Sequence, residues 1–135
     1  MHGLHLIAEL HDCRCDEQLL FDAAALRELC LAVCAEPGLT PLGTLFHQFG
    51  SAARPAGATG AVVLAESHLA VHTWPETRAV TLDLYVCNFS QDNSAAARRA
   101  GQRLIEAFAP TRLVRREIER GTSAAVPATA DAGPC

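Results

Sequence analysis

Two runs near the middle of the chain, HLAVHTW (68–74) and AVTLDLYVC (79–87), constrain the fold most. Each alternates with period two, the spacing of a strand whose successive side chains point to opposite faces. Only residues 75–78 separate them. So short a link joins antiparallel neighbours, because a parallel pair needs a crossover of a dozen or more residues. Leu69 and Val71 in the first run, and Leu82, Leu84 and Val86 in the second, form one aliphatic face. The other face carries His68, Ala70, His72 and Trp74 beside Thr81, Asp83, Tyr85 and Cys87. An antiparallel sheet commonly leaves one face to water, yet Trp and Cys are types usually found buried. A second copy of the chain stacked on this mixed face, with a reactive site between the sheets, accommodates both facts.

The rest of the chain supplies more strands and two helices. Residues 3–10 (GLHLIAEL) read as a buried strand. From Asp16, a candidate cap, to Ala35 the apolar residues fall at helical spacing, and Pro37-Gly38 ends the segment. Residues 40–49 suggest a strand, 50–60 (GSAARPAGATG) a loop, and 61–65 another strand. Ser94 to Ala109 is an amphipathic helix capped by Asp92 or Asn93 and closed by Pro110, and 111–118 is a last strand. The order β-α-β-β-β-β-α-β predicts an α+β two-layer sandwich: a mainly antiparallel sheet with two helices on one face. In the stacked pair the layers run αββα across a homodimer. Residues 1–120 form a single domain, and 121–135, which lack periodicity, are expected to be a disordered tail.

Composition narrows the chemistry. All 11 basic residues in the Lys+Arg class are arginine, so no ε-amino group exists to form the internal imine of a pyridoxal-phosphate enzyme. A net charge of −4 argues against a nucleic-acid partner, and the arginines at 112, 115, 116 and 120 read as a solvated strand edge. The opening MHGLHLIAELHDC lacks the basic start of a signal peptide, no run approaches the roughly 18 apolar residues of a membrane span, and the six cysteines are expected to be reduced thiols. The cytoplasm is the expected compartment. His11, Cys13, Cys15, Cys30 and Cys34 lack the paired spacing of a zinc site, so no metal is expected.

The run AESHLAVHTWPE (65–76), with Cys87 following Ser67 by 20 residues, resembles the short prokaryotic S-adenosylmethionine decarboxylase proenzymes. GLHLIAELHDC (3–13), FHQF (46–49) and REIERG (116–121) extend that resemblance across residues 3–121. It implies a pyruvoyl-dependent lyase that decarboxylates S-adenosylmethionine to the aminopropyl donor for spermidine synthesis. Ser67 attacks the Glu66 carbonyl, the peptide becomes an ester, and elimination leaves a pyruvoyl group on position 67. The products are a β fragment, 1–66, and an α fragment, 67–135. His72 is then the proton acceptor in processing and Cys87 the proton donor in decarboxylation. The pyruvoyl group, generated from Ser67, binds the substrate amine as a Schiff base and takes the place of pyridoxal phosphate.

The same resemblance assigns Phe49 and Trp74 to stacking on adenine, Glu76 to the ribose hydroxyls, and Thr59 and His68 to support of processing. Three departures flank the pocket: a longer 50–59 segment, Thr77-Arg78 where relatives often show a Gly/aromatic turn, and Asn88 in place of a glycine. A pyruvoyl decarboxylase of arginine or ornithine and a non-cleaving regulatory homologue are the alternatives. One geometric point stands apart from family. Ser67 and His72 are five residues apart, so an unbroken strand places them on opposite faces. Ser67 is therefore expected in a turn or bulge before the strand begins.

Overall fold

The computed structural model describes residues 2–121; the expectation of a disordered tail concerns residues almost entirely outside that range. The elements are β1 (Gly3–Cys13), α1 (Glu17–Phe21), α2 (Ala23–Ala35), β2 (Pro41–Ser51), β3 (Arg54–Leu64), β4 (Ser67–Trp74), a 3₁₀ turn (Pro75–Thr77), β5 (Ala79–Cys87), α3 (Ser94–Phe108) and β6 (Pro110–Arg120). The six strands form one sheet in the order β2-β3-β4-β5-β1-β6, with every neighbouring pair antiparallel. β1, first in the chain, is inserted between β5 and β6.

The aliphatic face lies against the helices as the alternation predicts. Leu4, Leu6, Ala8 and Leu10 of β1 are buried with Leu82, Leu84 and Val86 of β5, Leu69 and Val71 of β4, and Val62 and Leu64 of β3. Over them pack Leu26, Cys30, Val33 and Cys34 of α2 and Ala97, Ala100, Leu104 and Phe108 of α3. Removing one large aliphatic or aromatic side chain from water contributes about 2 kcal/mol, so this layer dominates stability. Gly101 lets α3 approach closely, because a Cβ there would stand 2.9 Å from a Leu6 methyl.

Two sequence expectations need correction. The single helix across 16–35 is two, α1 and α2, broken at Asp22, which leaves helical geometry and accepts bonds from the Ala24 and Ala25 amides. Asp16 caps α1 by accepting from the Gln18 amide, 2.9 Å. The loop expected at 50–60 is mostly strand: β2 runs to Ser51 and β3 starts at Arg54. Its small residues serve close packing, because the Phe46 ring covers Gly60 and leaves no room for a Cβ.

Candidate active site

Two groups of candidate functional side chains lie one at each end of β4. The first surrounds Ser67. β3 and β4 are joined by Ala65 and Glu66 alone, and Glu66 takes a left-handed conformation, φ 60°. Ser67 pairs with Leu64 and opens β4 directly. The expectation that Ser67 precedes the strand is thus incorrect by one residue: a left-handed Glu66 closes the hairpin, so no bulge is needed. Ser67 Oγ accepts a hydrogen bond from the Cys87 backbone N–H at 3.1 Å, and both residues are buried. The Cys87 carbonyl in turn accepts from Asn93 Nδ2 at 3.0 Å.

Beside Cys87, Tyr85 is only 8% exposed although it belongs to the open face. His5 and His68 flank its ring, with centroids 5.9 and 5.7 Å away, and the Arg120 guanidinium lies over it at 4.3 Å. Burial, with the neighbouring Cys87, pushes the Tyr85 hydroxyl above its usual pKa, while Arg120 opposes the rise. Asp83 Oδ1 stands 2.5 Å from His5 Nε2 and 3.7 Å from His68 Nε2. Alternation placed Asp83 and Tyr85 on this face. His5 and Arg120 carried no sequence signal, because only the insertion of β1 between β5 and β6 brings them here.

The second group surrounds His72. Thr59 pairs with it across β3 and β4, and the Thr59 hydroxyl bonds His72 Nδ1. Phe49, Thr59, His72, Trp74 and Glu76 border an open hollow of about 230 Å³. Trp74 is 41% exposed and its ring centroid is 6.1 Å from that of His72. Glu76 sits on the 3₁₀ turn that follows. Arg78 closes that turn in the left-handed region, φ 47°, a conformation that costs a non-glycine residue about 1 kcal/mol. Its guanidinium donates to the Cys13 and Cys15 carbonyls at 2.6 and 2.8 Å, which ties the turn to the end of β1.

The fold therefore unites Ser67 with Cys87 and His72 with Thr59, Trp74, Phe49 and Glu76, but it holds the two groups apart. Ser67 shares parity with the buried Leu69 and Val71, whereas His72 is exposed on the opposite face. Five residues of strand span about 16 Å. No Ser67–His72 contact exists within one chain.

Cys30 and Cys34 belong to the core, where burial pushes the Cys34 thiol up to about 12 and raises Cys30 further; burial also lifts Cys13 to about 11. Among the described residues, no group of three or more His, Cys, Asp or Glu side chains is placed to hold a metal, and no helix is long and apolar enough to cross a membrane.

Residues 4–121 match the family described as S-adenosylmethionine decarboxylase. The S-adenosylmethionine decarboxylase proenzyme of Picrophilus torridus is 38% identical over 120 residues, covering 89% of this chain and 85% of that one. The Archaeoglobus fulgidus proenzyme is 33% identical over 119 residues, covering 88% of this chain and 97% of its own. The crystal structure of the adenosylmethionine decarboxylase from Aquifex aeolicus superimposes with a TM-score of 0.78 at 32% identity, covering 90% of this chain and 92% of that one.

Proposed function

The chain belongs to the S-adenosylmethionine decarboxylase family, and from that premise we propose that it cleaves itself between Glu66 and Ser67 and then decarboxylates S-adenosylmethionine through a pyruvoyl group at position 67. The product is the aminopropyl donor for spermidine synthesis. The observation that carries the reading is the junction of a left-handed Glu66 with a Ser67 hydroxyl held by the Cys87 amide. That arrangement fits a pyruvoyl precursor. The serine belongs to the residue directly after the carbonyl it must attack, and the Cys87 amide N–H occupies an Oγ lone pair without taking the hydroxyl proton. When formed, the ketone supplies the electron sink that loss of CO2 needs in a chain without lysine.

The remaining roles fall to side chains already placed. Cys87 delivers the proton to the substrate carbon after CO2 departs. Phe49 and Trp74 present aromatic surfaces to adenine, and Glu76 accepts from the ribose hydroxyls. His72 removes the Ser67 α-proton, an imidazole serving as the general base. Since its own Ser67 lies out of reach, the base comes from a second copy.

Two sheets stacked open face to open face in opposite directions bring the His72 end of each over the Ser67 end of the other, an αββα homodimer. Strand geometry supports this, because the Ser67 side chain lies on the helix side and its α-hydrogen lies on the other side of the backbone. Exposed Leu45, Val63 and Ile118 supply apolar area on the stacking face.

Coexpression tests the arrangement. His72→Ala and Ser67→Ala homodimers should both stay uncleaved. Mixed dimers should cut the His72→Ala chain into fragments 1–66 and 67–135, seen by intact mass, with CO2 released from S-adenosylmethionine but not from arginine or ornithine. No cleavage in the mixture would overturn the shared site.

A further inference from the structure

We propose that the β5–α3 loop, residues 88–93, is a clamp for self-cleavage, and that Ser90 is a positioning residue acting through the Glu66 side chain. The inference rests on the self-processing reading above and assigns to that reaction residues outside the His72, Cys87 and Ser67 set.

Four observations converge on the scissile peptide. Glu66 is held at φ 60°, where a side chain is disfavoured. Its exposed carboxylate accepts a hydrogen bond from Ser90 Oγ at 3.2 Å, which ties the turn residue to the β5–α3 loop. On the other side of the peptide, Ser67 Oγ is held by the Cys87 amide, and the Cys87 carbonyl is held by the buried Asn93 side chain. Asn88 closes the loop upon itself: its Oδ1 accepts from the Asn93 amide at 2.9 Å and its Nδ2 donates to Ser94 Oγ at 2.9 Å. Electrophile and nucleophile are thus gripped by the same six-residue segment, Glu66 through Ser90 and Ser67 through Cys87 and Asn93. Asn88, bonded to both Asn93 and Ser94, sets the shape of that segment.

The clamp acts on a defined step. Ser67 Oγ bonds to the Glu66 carbonyl carbon, the Glu66–Ser67 C–N bond breaks, and the serine proton passes to the freed amine. A base then takes the Ser67 α-proton, the Cβ–Oγ bond breaks, and the Glu66 carboxylate leaves dehydroalanine behind. That residue tautomerises to an imine, and water converts it to the ketone and ammonia. The first addition needs the Glu66 carbonyl aimed at Oγ. A free two-residue turn samples many orientations, and fixing reacting atoms in an attack geometry raises rate without new chemistry.

The test is a double-mutant cycle on the rate of cleavage, followed by intact mass on freshly refolded chain. Ser90→Ala and Glu66→Ala should each slow the appearance of fragment 67–135 by about fivefold, the worth of one ordinary hydrogen bond. The double variant should be no slower than either single one, because both remove the same contact. Glu66→Gln and Ser90→Thr, which keep an acceptor and a donor, should stay within about twofold of the parent. Thermal midpoints of all variants on an uncleavable Ser67→Ala background should agree, since both side chains are exposed. Parental cleavage rates in Ser90→Ala, or single effects that multiply in the double variant, would overturn the clamp. Failure of the unsubstituted chain to cleave would instead overturn the self-processing reading.

Discussion

Thr73→Val isolates a polar group that the sequence motif places on the buried side of β4, at the opposite end of the strand from Ser67. Thr73 is 6% exposed. Its Oγ1 accepts from the Ala58 amide at 2.9 Å and donates to the Leu20 carbonyl at 2.7 Å, joining β4 to β3 and to α1. Valine keeps the shape but removes both bonds. Stranding a buried backbone N–H costs about 1–3 kcal/mol, and the lost bond to the carbonyl adds about 1 kcal/mol, so the expected loss is about 3 kcal/mol. Thr73→Ser keeps the hydroxyl and gives up one methyl, about 1 kcal/mol.

Urea unfolding followed by circular dichroism separates the two. The Ser67→Ala background keeps every chain intact, and a fixed protein concentration removes any contribution from association. With a slope of about 1.5 kcal/mol per molar urea, Thr73→Val should move the midpoint down by about 2 M and Thr73→Ser by less than about 1 M. A valine variant at least as stable as the serine variant would refute the reasoning. The Thr73 hydroxyl would then contribute shape alone, and the placement of its neighbours His72 and Trp74 would not depend on it.

Asp22→Ala should cost about 1 kcal/mol at neutral pH, since it removes the cap of α2. The Ala24 and Ala25 amides hold the Asp22 carboxyl below its usual range, so its contribution is present above the unfolded carboxylate pKa and is lost as pH falls through the lower folded value. Melting curves of the two proteins should therefore converge in strong acid, and a constant gap would count against the cap. Cys30 and Cys34 should resist maleimide at pH 7.5 until the chain unfolds, as their burial and raised thiol pKa require; peptide mass mapping that finds either labelled in folded protein refutes their place in the core. Trp74→Ala should raise KM for S-adenosylmethionine about tenfold, the worth of one stacked base, while the fraction of cleaved chain stays at the parental level. A fall in cleavage with KM unchanged would give Trp74 a folding role instead.

Much of the fold is legible because its signals are local. Period-two alternation identified the inner strands and sorted Leu69, Val71, Leu82, Leu84 and Val86 from His68, His72, Asp83 and Tyr85 before any contact was known. Helical spacing and Asp16 located the start of the first helix. The errors fall where one residue type serves two purposes. Asp22, one polar residue within a helical pattern, reads as an exposed helix position but ends one helix and caps the next. The Gly- and Ala-rich 50–60 segment reads as flexible, yet two neighbouring strands use its small residues to fit beneath Phe46 and beside Pro75.

By itself the sequence determined the order of the strands, the two faces of the sheet, the family and the chemical identity of the groups at positions 67, 72 and 87, because each of these is written in short stretches with a characteristic spacing. Only the tertiary structure decided which of those groups meet. A left-handed Glu66 starts β4 at Ser67 and so puts Ser67 and His72 on opposite faces. β1 enters between β5 and β6 and brings His5 to Asp83, and the β5–α3 loop returns to place Ser90 on Glu66. The physical reason is that alternation fixes only the face a side chain occupies, whereas its neighbours depend on strand order, register and turn geometry, which bring distant residues together.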